Sequence, residues 1–128
     1  GAPIDFLAVV MFAWIEIVSA HYGVDANFAK SVAVVESRAS HGPELSIRVG
    51  RLGKSRYYGP FGIEKSFLKK WDIANPFVNV EVGVKALRGK DEIKVLRRYN
   101  TSCTQAYIHE VKRIKRKLKE GSACHGDG

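Results

Sequence analysis

The sequence predicts a mainly α-helical domain with a small β-hairpin in the region 41–58, and three observations carry that expectation. Apolar residues recur at helical spacing, as in Phe28, Val32 and Val35 or in Tyr107, Val111, Ile114 and Leu118. Gly23, Asp25, the Asn75-Pro76 pair and Gly89 divide these runs into segments of ordinary helix length. Period-two alternation occurs at Leu45, Ile47 and Val49, where a short strand fits better than a helix. A chain of 128 residues, 45% of them apolar, supports one core, so residues 1–120 are read as one domain and the glycine-rich stretch 121–128 as a flexible tail.

The first helix is expected from about Pro3–Asp5 to about His21, apolar on most of its circumference and ended by Gly23. Its run Phe6 to Ile15 is about 15 Å long as a helix, against the roughly 30 Å of a bilayer core, so it does not span. No basic residue precedes the run and Glu16 follows it, which favours a buried helix of the mature domain over a secretory signal. A second helix should run from about Ala26 to Ser37, with Asp25 as its N-cap. A third is expected from Glu64 to about Asp72 with Phe67, Leu68 and Trp71, ended by Asn75-Pro76. Asn79 is a candidate cap for the next helix, in which Gly83 permits a close contact, and Lys90-Asp91-Glu92 opens another. The last, about Thr104 to Glu120, carries an apolar stripe and a basic remainder.

Glu36 is the candidate for chemistry. It stands one turn after Val32, at the edge of an apolar stripe and near the negative end of its helix. Loss of hydration and the helix dipole both favour the protonated carboxyl there, which is how a general acid is made near neutral pH. A helical glutamate is by base rate a solvated surface residue, and periodicity alone leaves that reading in place.

Four stretches in order resemble the lytic transglycosylase family, relatives of goose-type lysozyme that cut peptidoglycan. They are Tyr22-Gly-Val-Asp with the helix ending in Glu36-Ser37, Tyr58-Gly-Pro-Phe-Gly-Ile63, Asn75-Pro-Phe-Val-Asn-Val80 with Gly83 and Leu87, and Arg98-Tyr99-Asn100 with Tyr107 and Val111. The resemblance implies a lysozyme-like helical domain with Glu36 as catalytic acid and then base. It implies a glycine-rich turn close to the substrate, so that Ser37, Tyr58, Gly59 and Ile63 join Tyr99 and Asn100 as substrate-binding residues, Tyr99 near the carboxylate and Asn100 by the sugar. The implied reaction cleaves the MurNAc-GlcNAc β-1,4 bond without water and leaves 1,6-anhydroMurNAc, in the periplasm or elsewhere in the cell envelope, on glycan strands and within reach of a larger envelope machine. The sequence departs from the family where a glutamine is usual, with Gly62 or Lys65 in its place, and where Thr101-Ser102 replaces Ala-Gly.

A net charge of +8 and a pI near 9.7 predict attraction to polyanions, the wall, acidic membrane and nucleic acid alike. With the motifs, the wall is favoured and nucleic acid disfavoured; a hydrolytic muramidase, with Glu44, Glu64 or Asp72 placing a water, and a non-catalytic basic wall- or nucleic-acid-binding module are the alternatives. Cys103 and Cys124 are not in a Cys-x-x-Cys pair and form either one disulfide, favoured in an oxidising compartment, or two thiols. His21, His41, His109 and His125 are scattered, so neither metal nor cofactor is expected.

Overall fold

The computed structural model describes residues 5–37, 43–51 and 53–127, with side chains through residue 121. The expectations for Pro3, for positions 41 and 42 at the start of the hairpin region, and for the Cys124 side chain lie outside these residues. The described chain is mainly helical, with one small antiparallel hairpin.

Helix α1, Phe6–Tyr22, starts where Asp5 Oδ1 accepts from the Ala8 N–H at 2.6 Å and ends at Gly23, whose φ of 69° is the left-handed turn a glycine supplies without strain. Helix α2, Ala26–Ser37, starts where Asp25 Oδ1 accepts from the Phe28 N–H at 2.9 Å. It packs on α1 and on the last helix, and it is buried far beyond one stripe: Phe28, Ala29, Val32, Ala33 and Val34 are all in the core. In α1 the burden is reversed. Expected to be packed most of the way round, it buries Ala8, Met11, Ile15 and Val18 and leaves Phe6, Val9 and Ile17 at 79%, 55% and 60% exposure. Its main packing is on α2 and the third helix, and periodicity does not count the available partners.

The hairpin pairs β1, Tyr57–Tyr58, with β2, Ile63–Glu64, in the register Tyr57 to Glu64 and Tyr58 to Ile63, and a bridge from Arg51 to Tyr58 widens it. It overlaps the expected region only at its first strand. Leu45 and Ile47 are buried, but they serve the core rather than this ladder. The helix expected from Glu64 to Asp72 is replaced by two short 3₁₀ turns, Lys65–Phe67 and Lys70–Asp72, which leave Phe67 and Trp71 exposed.

Helix α3, Pro76–Ala86, is capped by Asn75, whose Oδ1 accepts from the N–H groups of Phe77 and Val78, with Pro76 in the first turn where it has no hydrogen bond to lose. Asn79, expected to cap this helix, is instead 1% exposed and bonds elsewhere. A Cβ on Gly83 would overlap the ring of the fully buried Phe61, so the close contact this glycine permits is with the hairpin turn. Gly83→Ala is therefore expected to cost about 1–3 kcal/mol in a urea titration, the range for forcing a methyl into a packed core. An unchanged midpoint would mean that the ring has room to move.

Helix α4, Glu92–Tyr99, is capped by Asp91, and α5, Gln105–Asp127, begins where Thr104 Oγ1 accepts from the Tyr107 N–H at 3.1 Å. The α5 backbone continues past Glu120, where the sequence predicted a tail. Its basic face is partly neutralised: Arg113 and Lys117 pair with Glu44, and Lys115 with Glu92. Cys103 is a free thiol, and the side chain of Cys124, the partner favoured from the sequence, lies outside the described residues. Among the described residues, no helix is long and apolar enough to cross a membrane.

Candidate active site

The last turn of α2 places Glu36 at a cleft of about 1120 Å³. The hairpin side supplies Tyr57, Ile63 and Glu64, and the ends of α3 and α4 with the turns after them supply the other side, including Tyr99 and Asn100. The carboxyl is held from two directions. Tyr107 of α5 donates its hydroxyl proton to Glu36 Oε1 at 2.6 Å, and Gly62, at φ +56°, sits so close that a Cβ there would lie 3.3 Å from Oε2. Any side chain at 62 would need that strained backbone and would crowd the acid. Neither Gly62 nor the exposed Lys65 offers the amide group usual in the family.

Burial raises the Glu36 pKa above the ordinary 4.5, and the hydrogen bond from Tyr107, which favours the charged form, lowers it by less. The balance leaves a carboxyl that keeps its proton to higher pH than a solvated one. Burial and then the neighbouring Glu36 charge push the Tyr107 hydroxyl upward, so it remains a donor. Tyr107→Phe removes a hydrogen bond that favours the Glu36 carboxylate. A pH–rate profile should then show the limb set by the acid moving to higher pH; a limb moving lower, or not at all, would detach Tyr107 from the titration.

Tyr99 is near the acid without bonding to it. Its hydroxyl donates to the Phe61 carbonyl at 2.6 Å, and its pKa is raised by burial first and by the Glu36 charge second. The Phe61 N–H in turn donates to Asn79 Oδ1 at 2.9 Å, and Asn79 Nδ2 donates to the Tyr58 carbonyl at 2.7 Å. Asn79 thus clamps the turn from Tyr58 to Phe61, and Gly59, at φ +74°, has no space for a Cβ against that amide.

Of the residues predicted for the site, Glu36, Ile63, Tyr99 and Asn100 line the cleft, whereas Ser37, Tyr58 and Gly59 do not. Ser37 is buried; its hydroxyl donates to the Ala33 carbonyl at 2.6 Å and accepts from the Arg48 N–H at 3.1 Å, fastening the 43–51 segment to α2. Tyr58 and Gly59 contribute backbone to the clamp. Successive side chains of a strand point to opposite sides, and it is Tyr57 that reaches the cleft. The sequence did not mark Tyr57, and it marked Tyr107 as packing surface and as part of the fourth stretch, with no role at the acid. A tyrosine on an apolar helix face reads as core until the tertiary structure shows what its hydroxyl meets.

Among the possible second acids, Glu44 is engaged by Arg113 and Lys117, whose hydrogen bonds lower its pKa, and neither it nor Asp72 lines the cleft. Glu64 does line it, with Arg56 at 3.5 Å. Among the described residues no group of three or more His, Cys, Asp or Glu could hold a metal ion. No family model, no curated protein and no solved structure matches the chain.

Proposed function

We propose that the protein is a peptidoglycan lytic transglycosylase, acting on glycan strands in the cell envelope. One observation carries the reading: Glu36, its pKa raised by burial, lines an open cleft and accepts the Tyr107 hydroxyl at one oxygen. The order of the four sequence stretches supplies the substrate class.

In this mechanism Glu36 gives its proton to the glycosidic oxygen as the bond from that oxygen to C1 of MurNAc breaks. The substrate's own N-acetyl oxygen stabilises the cationic C1. The Glu36 carboxylate, now accepting from Tyr107, takes the proton of the C6 hydroxyl, and O6 bonds to C1 to close the 1,6-anhydro ring. The proton is back on Glu36 and no water is consumed. A glycosidase of the ordinary kind needs a second carboxylate for nucleophile or water.

Glu64 in the same cleft is the specific observation behind a second reading, a hydrolytic muramidase with Glu64 placing the water. Digestion of purified sacculi followed by mass spectrometry of the muropeptides separates the two, because each hydrolytic product is heavier by one water than its anhydro counterpart. Release of no muropeptide, with retained binding to sacculi, would leave the basic binding module as the reading.

A further inference from the structure

We infer that the side of the cleft formed by the ends of α3 and α4 is a subsite for free carboxylates on the glycan, those of its peptide stems; this rests on the wall-cleaving reading above. Lys85, Arg88 and Arg98 line it, all three are exposed, and none has a carboxylate partner among the described residues. The contrast with α5 is chemical. There the cations Arg113, Lys115 and Lys117 are each tied to a glutamate, and the charge is largely spent within the molecule.

The two guanidiniums of the cleft are fixed without being neutralised. Arg88 Nε donates to the Lys85 carbonyl at 2.9 Å, and Arg98 Nη2 donates to the carbonyls of Ala86 and Arg88 at 3.0 and 2.6 Å. These bonds close the carbonyl end of α3, where cations are favoured, and they fix the forks without placing a carboxylate on them. Arg88 lies just past the end of α3 with its Nε on the Lys85 carbonyl, and the Arg98 fork reaches the same turn through the Arg88 carbonyl. Three like charges gathered in one turn repel one another until an anion arrives. Planar carboxylates suit arginine forks, and a flexible lysine can follow a stem that hangs from the glycan. The acids lining the cleft have partners of their own: Glu36 accepts from Tyr107, and Glu64 has Arg56 beside it.

The test is binding, measured in a Glu36→Gln background so that the wall is not consumed. The probe is purified sacculi before and after carbodiimide-ammonia treatment, which converts free carboxylates to neutral amides. Co-sedimentation should show about tenfold weaker binding to the amidated wall. Lys85→Glu should weaken binding to the native wall by about tenfold and have little effect on the amidated wall, whereas Lys119→Glu, an equal charge change on exposed α5, should cost less than twofold on either. Equal binding of the parent to both walls, equal losses for Lys85→Glu on both, or a Lys119→Glu loss as large as that of Lys85→Glu would overturn the subsite. The activity reading stands or falls separately, on muropeptide release by the protein with Glu36 intact.

Discussion

Replacing Glu36 by glutamine is expected to lower muropeptide release by about a thousandfold, the usual scale for removing a positioned proton donor, and at pH 7 to raise the melting temperature. The first effect follows from chemistry, because an amide has the shape of the acid but no acidic proton. The second follows from linkage. A carboxyl whose folded-state pKa lies above its unfolded value of 4.5 binds more protons folded than unfolded across the window between the two. Stability contributed at this position therefore falls as pH rises through the window, and the loss is complete above the raised value. Glutamine does not titrate and escapes the loss, and its carbonyl oxygen can still accept the Tyr107 hydroxyl. Melting curves of the two proteins should separate at neutral pH and converge below about pH 4. Retained wall clearance by Glu36→Gln would remove Glu36 from the mechanism, and equal or lower stability at pH 7 would show that ionising this carboxyl carries no penalty in the fold.

That a carboxyl disfavoured in its charged state sits at position 36 was partly legible in the chain. Asp25 and Val32 fix the start and the inward face of α2 and put Glu36 at the edge of the stripe, but periodicity alone does not distinguish it from a solvated glutamate. Local rules also placed Gly23 and the breaks at Asn75-Pro76 and Gly89, since each depends on the conformation of one or two residues. What they did not reach are facts of tertiary arrangement. Tyr107 lies 71 residues from Glu36 along the chain, and only the crossing of α5 over α2 turns a packing residue into a hydrogen-bond donor. Tyr57 rather than its neighbour Tyr58 lines the cleft, which depends on how the hairpin is set against the helices. Phe67 and Trp71 read as part of one short helix, yet the segment between β2 and α3 closes in two 3₁₀ turns and shows both rings to solvent. The outer face of α1 went wrong for the same reason: an apolar residue announces that it can be buried, and the rest of the fold determines whether anything covers it.

Asn79 shows the same dependence at its greatest structural consequence. Asn79→Ala is expected to destabilise the protein by about 3 kcal/mol and to cut turnover by about a hundredfold, although residue 79 lines no part of the cleft. The substitution leaves the Phe61 N–H buried without an acceptor and the Tyr58 carbonyl without its donor, and each loss lies in the range of 1–3 kcal/mol. The freed turn carries Gly62 against Glu36 and offers Tyr99 the Phe61 carbonyl, so the geometry around the acid loosens with the fold. Packing and hydrogen bonding at this point can be told apart through Gly59. A Cβ there meets the Asn79 amide, so Gly59→Ala in the native background suffers both a steric clash and the strain of φ +74°. With alanine at 79 the clash is gone and only the strain remains. In a double-mutant cycle followed by urea denaturation, Gly59→Ala should therefore cost at least about 1 kcal/mol less when Asn79 is already alanine. Strict additivity would mean that the amide does not hold the turn in the way these bonds describe.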